Sequence, residues 1–245
     1  MKHINSLKQK THEKLETTVE DIELTNQLIR RYETINSKLK EMDVSFDYLI
    51  PLINILKYRL FIGFLLSDIC STLNVYNNAK TLYEEKFAIR TFFIIISEGF
   101  KKIYNFTKIN NKGDIKLTYR NNSFWVKEIK PIIYEDLVEL KTEYNGITDS
   151  LDAFLQFDFQ TIKTNRDLAV HYDKNPLLVY DLMVKLDLEQ EVDLVLKFMD
   201  IINKMLAFTE LLTLKFSDKV DTLSKELQIK KQQQIDEIMN ILNIG

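Results

Sequence analysis

This chain of 245 residues has few of the residues that turn or cross-link a backbone: five glycines, three prolines and one cysteine. Such scarcity leaves little material for tight turns and β-hairpins, which favours long helices joined by short connections. The single cysteine, Cys70, excludes an internal disulfide framework and a cysteine-rich metal cluster. We therefore expect an all-α protein without a bound metal or other cofactor, in a reducing cytoplasm.

Long uninterrupted apolar runs are also missing. The N-terminus has no extended apolar stretch after its charged residues, so we expect no signal peptide. The most apolar stretch, residues 49–70, is interrupted by Lys57, Arg59 and Asp68, which argues against a membrane span. A chain of this length can bury a sizeable core, and we expect one domain over residues 1–245.

The spacing of apolar residues divides that domain into a bundle core and two terminal helices with narrow apolar stripes. Residues 1–42 predict a long amphipathic helix, and residues 217–245 predict a charged helix with a narrow apolar stripe. Residues 47–216 predict a bundle of long up-and-down helices with a polar loop or insertion at 107–123. Both terminal helices have a coiled-coil-like pattern, and the apolar stripe of each is too narrow to stabilise an isolated helix. We therefore expect them to pair with each other or with a second copy of the chain.

Prolines and a glycine predict helix ends in the second half of the chain. Pro131 suits the first turn of a helix, and Gly146, which follows an asparagine, should end it. A further helix should run from residue 149 to about residue 173, because Pro176 cannot continue it. The chemically richest run of the chain lies in the last turns of that helix.

This run extends from Arg166 to His171 and combines one of six arginines with one of three histidines. An arginine can neutralise a phosphodiester while a histidine moves a proton, which is sufficient for chemistry without a metal. On a straight helix the two side chains point about 140° apart. We therefore expect a single chain to carry only part of the site.

The run, continued by Tyr172 and Asp173, resembles the Arg-polar-x-x-x-His signature of HEPN domains, small α-helical bundles found among prokaryotic toxins, phage-defence proteins and nucleotide-modifying partners. Upstream, Glu98 and Lys102 are similar to the Glu-x-x-x-Lys pair that many members carry on an earlier helix. The resemblance implies a homodimer in which two motif-bearing helices form a composite cleft. It also implies a toxin or phage-defence protein, with an antitoxin or another protein as a partner.

The same resemblance assigns roles within the cleft. His171 would assist proton transfer as the RNA 2′-hydroxyl attacks its own phosphate, and Arg166 would stabilise the charge on the phosphorane oxygens. The supporting roles fall to Asp167, which would orient or cap locally, to Asn165, which would bind substrate, and to Glu98 with Lys102, which would form polar surroundings. One subgroup of the family has a modifiable tyrosine two places after the histidine. In this chain the residue two places after His171 is Asp173, and the tyrosine, Tyr172, comes one place earlier. The sequence therefore departs from the pattern of the subgroup in which modification of a tyrosine controls the toxin.

Basic and aromatic residues are concentrated between residues 101 and 130. The net charge of −3 argues against nucleic-acid binding over the whole surface, but this segment has eight basic and two acidic residues. Basic and aromatic side chains together are typical of a groove for single-stranded RNA. The candidate RNA-binding residues are Lys108, Lys112, Lys116, Arg120 and Lys127. A solvated loop flanked by core aromatics would give the same composition.

A structural role for the motif stays open beside the catalytic one. Arg166 can pair with a carboxylate of its own bundle, and His171 can cap carbonyl groups at a helix end. The alternative function is then a non-catalytic helical interaction or dimerisation module, in which the terminal helices make the contacts. The position of Arg166 in the fold bears on this choice.

Overall fold

The computed structural model describes residues 2–41, 49–104, 123–170 and 175–242. Within these ranges the protein is an all-α bundle without a strand, as the composition predicts. Its helices are α1 (Lys2–Glu41), α2 (Leu49–Asn78), α3 (Leu82–Tyr104), α4 (Lys130–Glu135), α5 (Lys141–Phe157), α6 (Phe159–Val170), α7 (Pro176–Lys185) and α8 (Leu188–Leu242). A π-helical turn, Trp125–Ile129, and a 3₁₀ turn, Val138–Leu140, flank α4.

Helix α2 is the centre of the bundle because its apolar residues surround the helix axis. Its surface packs against α1, α3 and α8, and most of its leucines and isoleucines are almost completely buried. Among the described helices, α2 is the one long and apolar enough to cross a membrane by length and composition, and most of that stretch is buried inside the bundle. Such burial is also what the core helix of a bundle shows.

Helix α1 lies along α2 as the other arm of a helical hairpin. Three threonines, Thr11, Thr18 and Thr25, repeat every seven residues on the buried face of α1, followed by the apolar Ile29. Opposite them, Gly63 of α2 allows close approach, since a Cβ there would lie 2.9 Å from Ile22 Cγ1. The N-terminal helix therefore packs chiefly on α2, although its sequence pattern suggested pairing with the C-terminal end or a second copy.

One buried arginine ties three helices together. Arg59 of α2 forms an ion pair with Asp21 of α1 and donates a hydrogen bond of 3.2 Å to the carbonyl oxygen of Leu206 in α8. Its guanidinium also lies 3.5 Å from Glu210. A buried guanidinium needs such partners, because an isolated charge in an apolar interior is strongly unfavourable.

Helices α5 and α6 run antiparallel to α8. The ion pairs between Lys219 and Asp136 and between Lys197 and Asp158, each 3.5 Å, mark this register. The π-helical turn packs against α5, where the Trp125 indole donates a 2.9 Å hydrogen bond to Thr148. This arrangement places α6, the motif-bearing helix, between α3 and the first turns of α8.

Two predicted boundaries are wrong. Gly146 does not end a helix: α5 continues through it to Phe157, and the break comes at Asp158. A glycine inside a helix costs about 1 kcal/mol relative to alanine, which burial of Tyr144, Ile147 and Leu151 on the same helix outweighs. Residue 217 is not a boundary either, because α8 is one continuous helix across it. There the apolar content falls while good helix-forming residues continue the backbone.

We expect Asp21→Ala to lower the free energy of unfolding by about 2 to 3 kcal/mol, because it leaves the buried Arg59 without its main counter-charge. The matched control is Glu20→Ala, the neighbouring exposed carboxylate, for which we expect a change within about 0.5 kcal/mol. Urea unfolding followed by circular dichroism measures both. Equal stability of the two variants would contradict the assigned role of Arg59.

Two glycines should respond to alanine in opposite directions. At Gly146 a Cβ would meet nothing within 4 Å, so Gly146→Ala should raise the free energy of unfolding by about 0.5 to 1 kcal/mol. At Gly63 the new methyl group would press on Ile22, so Gly63→Ala should lower it by about 1 to 2 kcal/mol. Thermal unfolding of the pair tests the packing of α1 on α2, and a stabilised Gly63→Ala variant would contradict it.

Candidate functional site

Arg166 lies in the last turns of α6, and its side chain is 15 % exposed. Its Nη1 atom is 3.4 Å from Glu98 Oε1, which reaches across from α3. Its Nε atom is 3.1 Å from Asp167 Oδ1, close enough for an ion pair but not aligned for a hydrogen bond. The structure thus brings Arg166, Asp167 and Glu98 together, three of the residues that the sequence singled out.

Glu98 lies at the more exposed side of this cluster. Lys101 donates a 2.7 Å hydrogen bond to Glu98 Oε1, and Lys102 lies exposed one residue further along α3. The hydrogen bond from Lys101 lowers the pKa of Glu98 below its ordinary value, against partial desolvation, and the charges of Lys101, Arg166 and Lys102 lower it further. The carboxylate therefore stays ionised between cations from two helices.

Asn165 is held by the bundle itself. Its Nδ2 atom donates a 3.1 Å hydrogen bond to Oε1 of Glu191, a buried residue in the first turn of α8. The second oxygen of Glu191 has no hydrogen-bond partner among the described residues. Burial, and then the negative charge of Asp187, raise the pKa of Glu191 to about 7. The predicted contact of Asn165 with substrate stays a prediction.

Several predicted site residues lie outside the described residues. These are His171, Tyr172 and Asp173 of the motif, and Lys108, Lys112, Lys116 and Arg120 of the RNA-binding candidates. Of the RNA-binding candidates, Lys127 is described, and it lies exposed on the π-helical turn. That turn packs through Trp125 on Phe208, about 25 Å further along α8 than Glu191. The structure therefore does not bring Lys127 next to Arg166.

Sequence reasoning missed two residues of this neighbourhood. Lys101 stands three residues after Glu98, a spacing that brings side chains together on any helix. Glu191 stands three residues before Leu194 and seven before Phe198, so it continues the buried stripe of α8. The position of this acidic residue on an otherwise apolar stripe could have indicated a buried carboxyl group with a raised pKa.

Comparison with known proteins assigns no family to this chain. The chain matches no protein-family model, none of the curated proteins and none of the solved structures. Within the described part of the chain, no group of three or more histidine, cysteine, aspartate or glutamate residues could hold a metal ion. The HEPN resemblance is thus neither supported nor opposed by these comparisons.

We expect the buried Glu191 carboxyl group to make stability fall as the pH rises. Because its pKa in the folded protein is about 7 and its ordinary value is 4.5, the folded state holds a proton that the unfolded state has lost between these values. The free energy of unfolding should therefore decrease from pH 4.5 to 7. Glu191→Gln should match wild type near pH 4.5 and exceed it by about 2 kcal/mol at pH 8.

Urea unfolding at pH 4.5, 6, 7 and 8 measures this difference between the two proteins. The control variant is Glu189→Gln, an exposed position in the same turn of α8, whose difference from wild type should stay within about 0.5 kcal/mol at each pH. A constant difference between Glu191→Gln and wild type across the series would show that the carboxyl group does not titrate as described.

Proposed function

We propose that this protein is a HEPN-like, metal-independent endoribonuclease of a toxin or phage-defence system, acting as a homodimer in the cytoplasm. The observation that supports the proposal is the ion pair between Glu98 on α3 and Arg166 on α6. It joins the two segments, far apart in the sequence, that carry the resemblance. Glu98 can form polar surroundings for the motif arginine only if α3 and α6 lie together, and this ion pair supports the proposal because it joins the two helices within one chain.

The electrostatics of Arg166 suit a phosphate-binding role. A guanidinium has five N–H donors, and the ion pairs with Glu98 and Asp167 involve Nη1 and Nε. Neither ion pair involves Nη2, whose donors could bind an anionic oxygen. The two carboxylates fix the plane of the guanidinium, so little reorganisation accompanies phosphate binding. The cations of Lys101 and Lys102 would add attraction for the RNA backbone.

In the proposed reaction His171 takes the proton of the RNA 2′-hydroxyl as that oxygen attacks the adjacent phosphorus. The bond from phosphorus to the 5′-oxygen breaks as that oxygen takes a proton from the protonated histidine of the second copy, and the products are a 2′,3′-cyclic phosphate and a 5′-hydroxyl end. Arg166 stabilises the extra negative charge on the non-bridging oxygens during the attack. None of these steps requires a metal ion. The second copy of the chain supplies the second arginine and histidine of the cleft.

Cleavage of mixed single-stranded RNA in EDTA tests the proposal. Wild type should produce 2′,3′-cyclic phosphate ends, and His171→Ala should reduce the rate at least about 100-fold, the usual contribution of a general acid–base group. The matched control is His12→Ala, because His12 is exposed on α1 and pairs with Glu16. The control should cleave at the wild-type rate.

Cleavage at equal rates by wild type and His171→Ala would refute the role of the histidine. No cleavage by wild type, with an intact dimer, would favour the second candidate function, a non-catalytic interaction or dimerisation module. One observation favours that candidate: Arg166 is mostly buried, and its two carboxylate partners account for its charge within the fold.

A further inference from the structure

Glu191 attaches the first turn of α8 to the second half of α6 through a carboxyl group that lacks a counter-charge. The residue is 7 % exposed, and its Oε1 atom accepts the 3.1 Å hydrogen bond from Asn165. Its Oε2 atom has no hydrogen-bond partner, and no lysine or arginine of the described chain forms an ion pair with it. A buried carboxylate with so few partners is unfavourable, so this group favours its neutral form.

The two halves of α6 are attached to the bundle by different interactions. In the first half, Phe159 and Ile162 are buried, and the Phe159 ring stacks on Phe100 of α3 at a centroid distance of 4.6 Å. Among residues 164–168 no apolar side chain is fully buried, and the contacts to other helices include the hydrogen bond of Asn165 and the ion pair of Arg166 with Glu98. Segments with few buried apolar contacts open at a lower free energy than the core. The second half of α6 should therefore open before the first.

We propose that Glu191 and Asn165 form a proton-operated latch, which holds the second half of α6 against α8 while Glu191 carries a proton and loosens when that proton is lost. Opening moves the carboxyl group from the interior into water, where the ionised form is stable, so opening is coupled to release of the proton. The latch goes beyond the proposed nuclease, because it acts on the motif-bearing helix whether or not RNA is cleaved.

The charged groups around the start of α8 do not supply the missing counter-charge. Lys86 of α3 donates to the carbonyl oxygen of Met183, and Arg166 of α6 pairs with Glu98 and Asp167. The other titratable or charged groups on the surrounding elements are Tyr76 of α2, Glu85 and Arg90 of α3, Asp181 and Lys185 of α7, Asp187 just before α8 and Glu189 in its first turn.

Burial, and then the charge of Asp187, raise the pKa of Glu191 to about 7 in the closed latch, and the ordinary value of 4.5 applies once the latch is open. The closed form therefore holds a proton that the open form loses between these two values. Opening should become more frequent as the pH rises from 4.5 to 7 and should level off above 7.

Hydrogen exchange of the full-length protein, followed by mass spectrometry and corrected for the intrinsic effect of pH, tests the latch. In wild type the opening constant of residues 164–168 should rise at least about tenfold from pH 5 to pH 7. In Glu191→Gln it should stay constant, because glutamine has no proton to lose and its carbonyl oxygen can still accept from Asn165. The matched control is Glu189→Gln, an exposed carboxylate in the same turn, which should respond to pH like wild type.

A second pair of variants tests the hydrogen bond at pH 5, where the latch is closed. Asn165→Ala should speed exchange of residues 164–168 by about fivefold, the effect of one lost hydrogen bond. Thr164→Ala, at the exposed neighbouring position, should leave it within about twofold of wild type. Circular dichroism spectra equal to that of wild type verify that the four variants fold.

Three results would overturn the latch. The first is an equal response to pH in wild type and Glu191→Gln, and the second is equal exchange in Asn165→Ala and Thr164→Ala. The third is an opening constant of residues 164–168 no larger than that of α5, Lys141–Phe157, because α6 would then open only with the whole bundle. RNA cleavage does not enter these measurements, so the latch and the nuclease can fail separately.

Discussion

The apolar surface of α2 is the constraint on which the rest of the bundle depends. A helix this rich in apolar residues must be covered over most of its surface, and here α1, α3 and α8 cover all but the side that carries Ile50, Phe64 and Val75. Arg59 interrupts this apolar environment, and it is accommodated because two of the covering helices supply an acid and a backbone carbonyl. The choice of neighbours around α2 then determines where α6 can pack, and hence where Arg166 lies.

Much of this arrangement could be predicted from composition and periodicity. The scarcity of glycine and proline correctly predicted long helices. The predictions that were wrong concern local signals that tertiary contacts override. At Gly146 burial of the surrounding residues outweighs a weak helix-breaking preference, and after residue 217 the backbone stays helical although the apolar stripe thins. Periodicity within α1 could not identify α2 as its partner, because a heptad pattern describes one surface and not the surface that meets it.

The candidate site combines what a motif can predict with what it cannot. Family resemblance singled out Glu98 and Arg166 separately, and the structure shows them in contact across two helices. The hydrogen bond between Asn165 and Glu191 depends on the register of α6 against α8, which no local pattern contains. The same cluster is compatible with opposite functions, because a guanidinium that two carboxylates hold in place is equally well prepared to bind phosphate or to stabilise a fold.

The continuity of α8 has a mechanical consequence. One end of this helix carries Glu191, which holds the residue next to Arg166, and the other end runs past Lys219, which bonds to Asp136. The α-helix is continuous between these points, and they are about 40 Å apart. Because the continuous helix fixes the spacing of the two points, a shift of the C-terminal part of α8 along its axis would also move Glu191 relative to α6. Forces at the far end of the molecule thus have a direct route to the neighbourhood of the arginine.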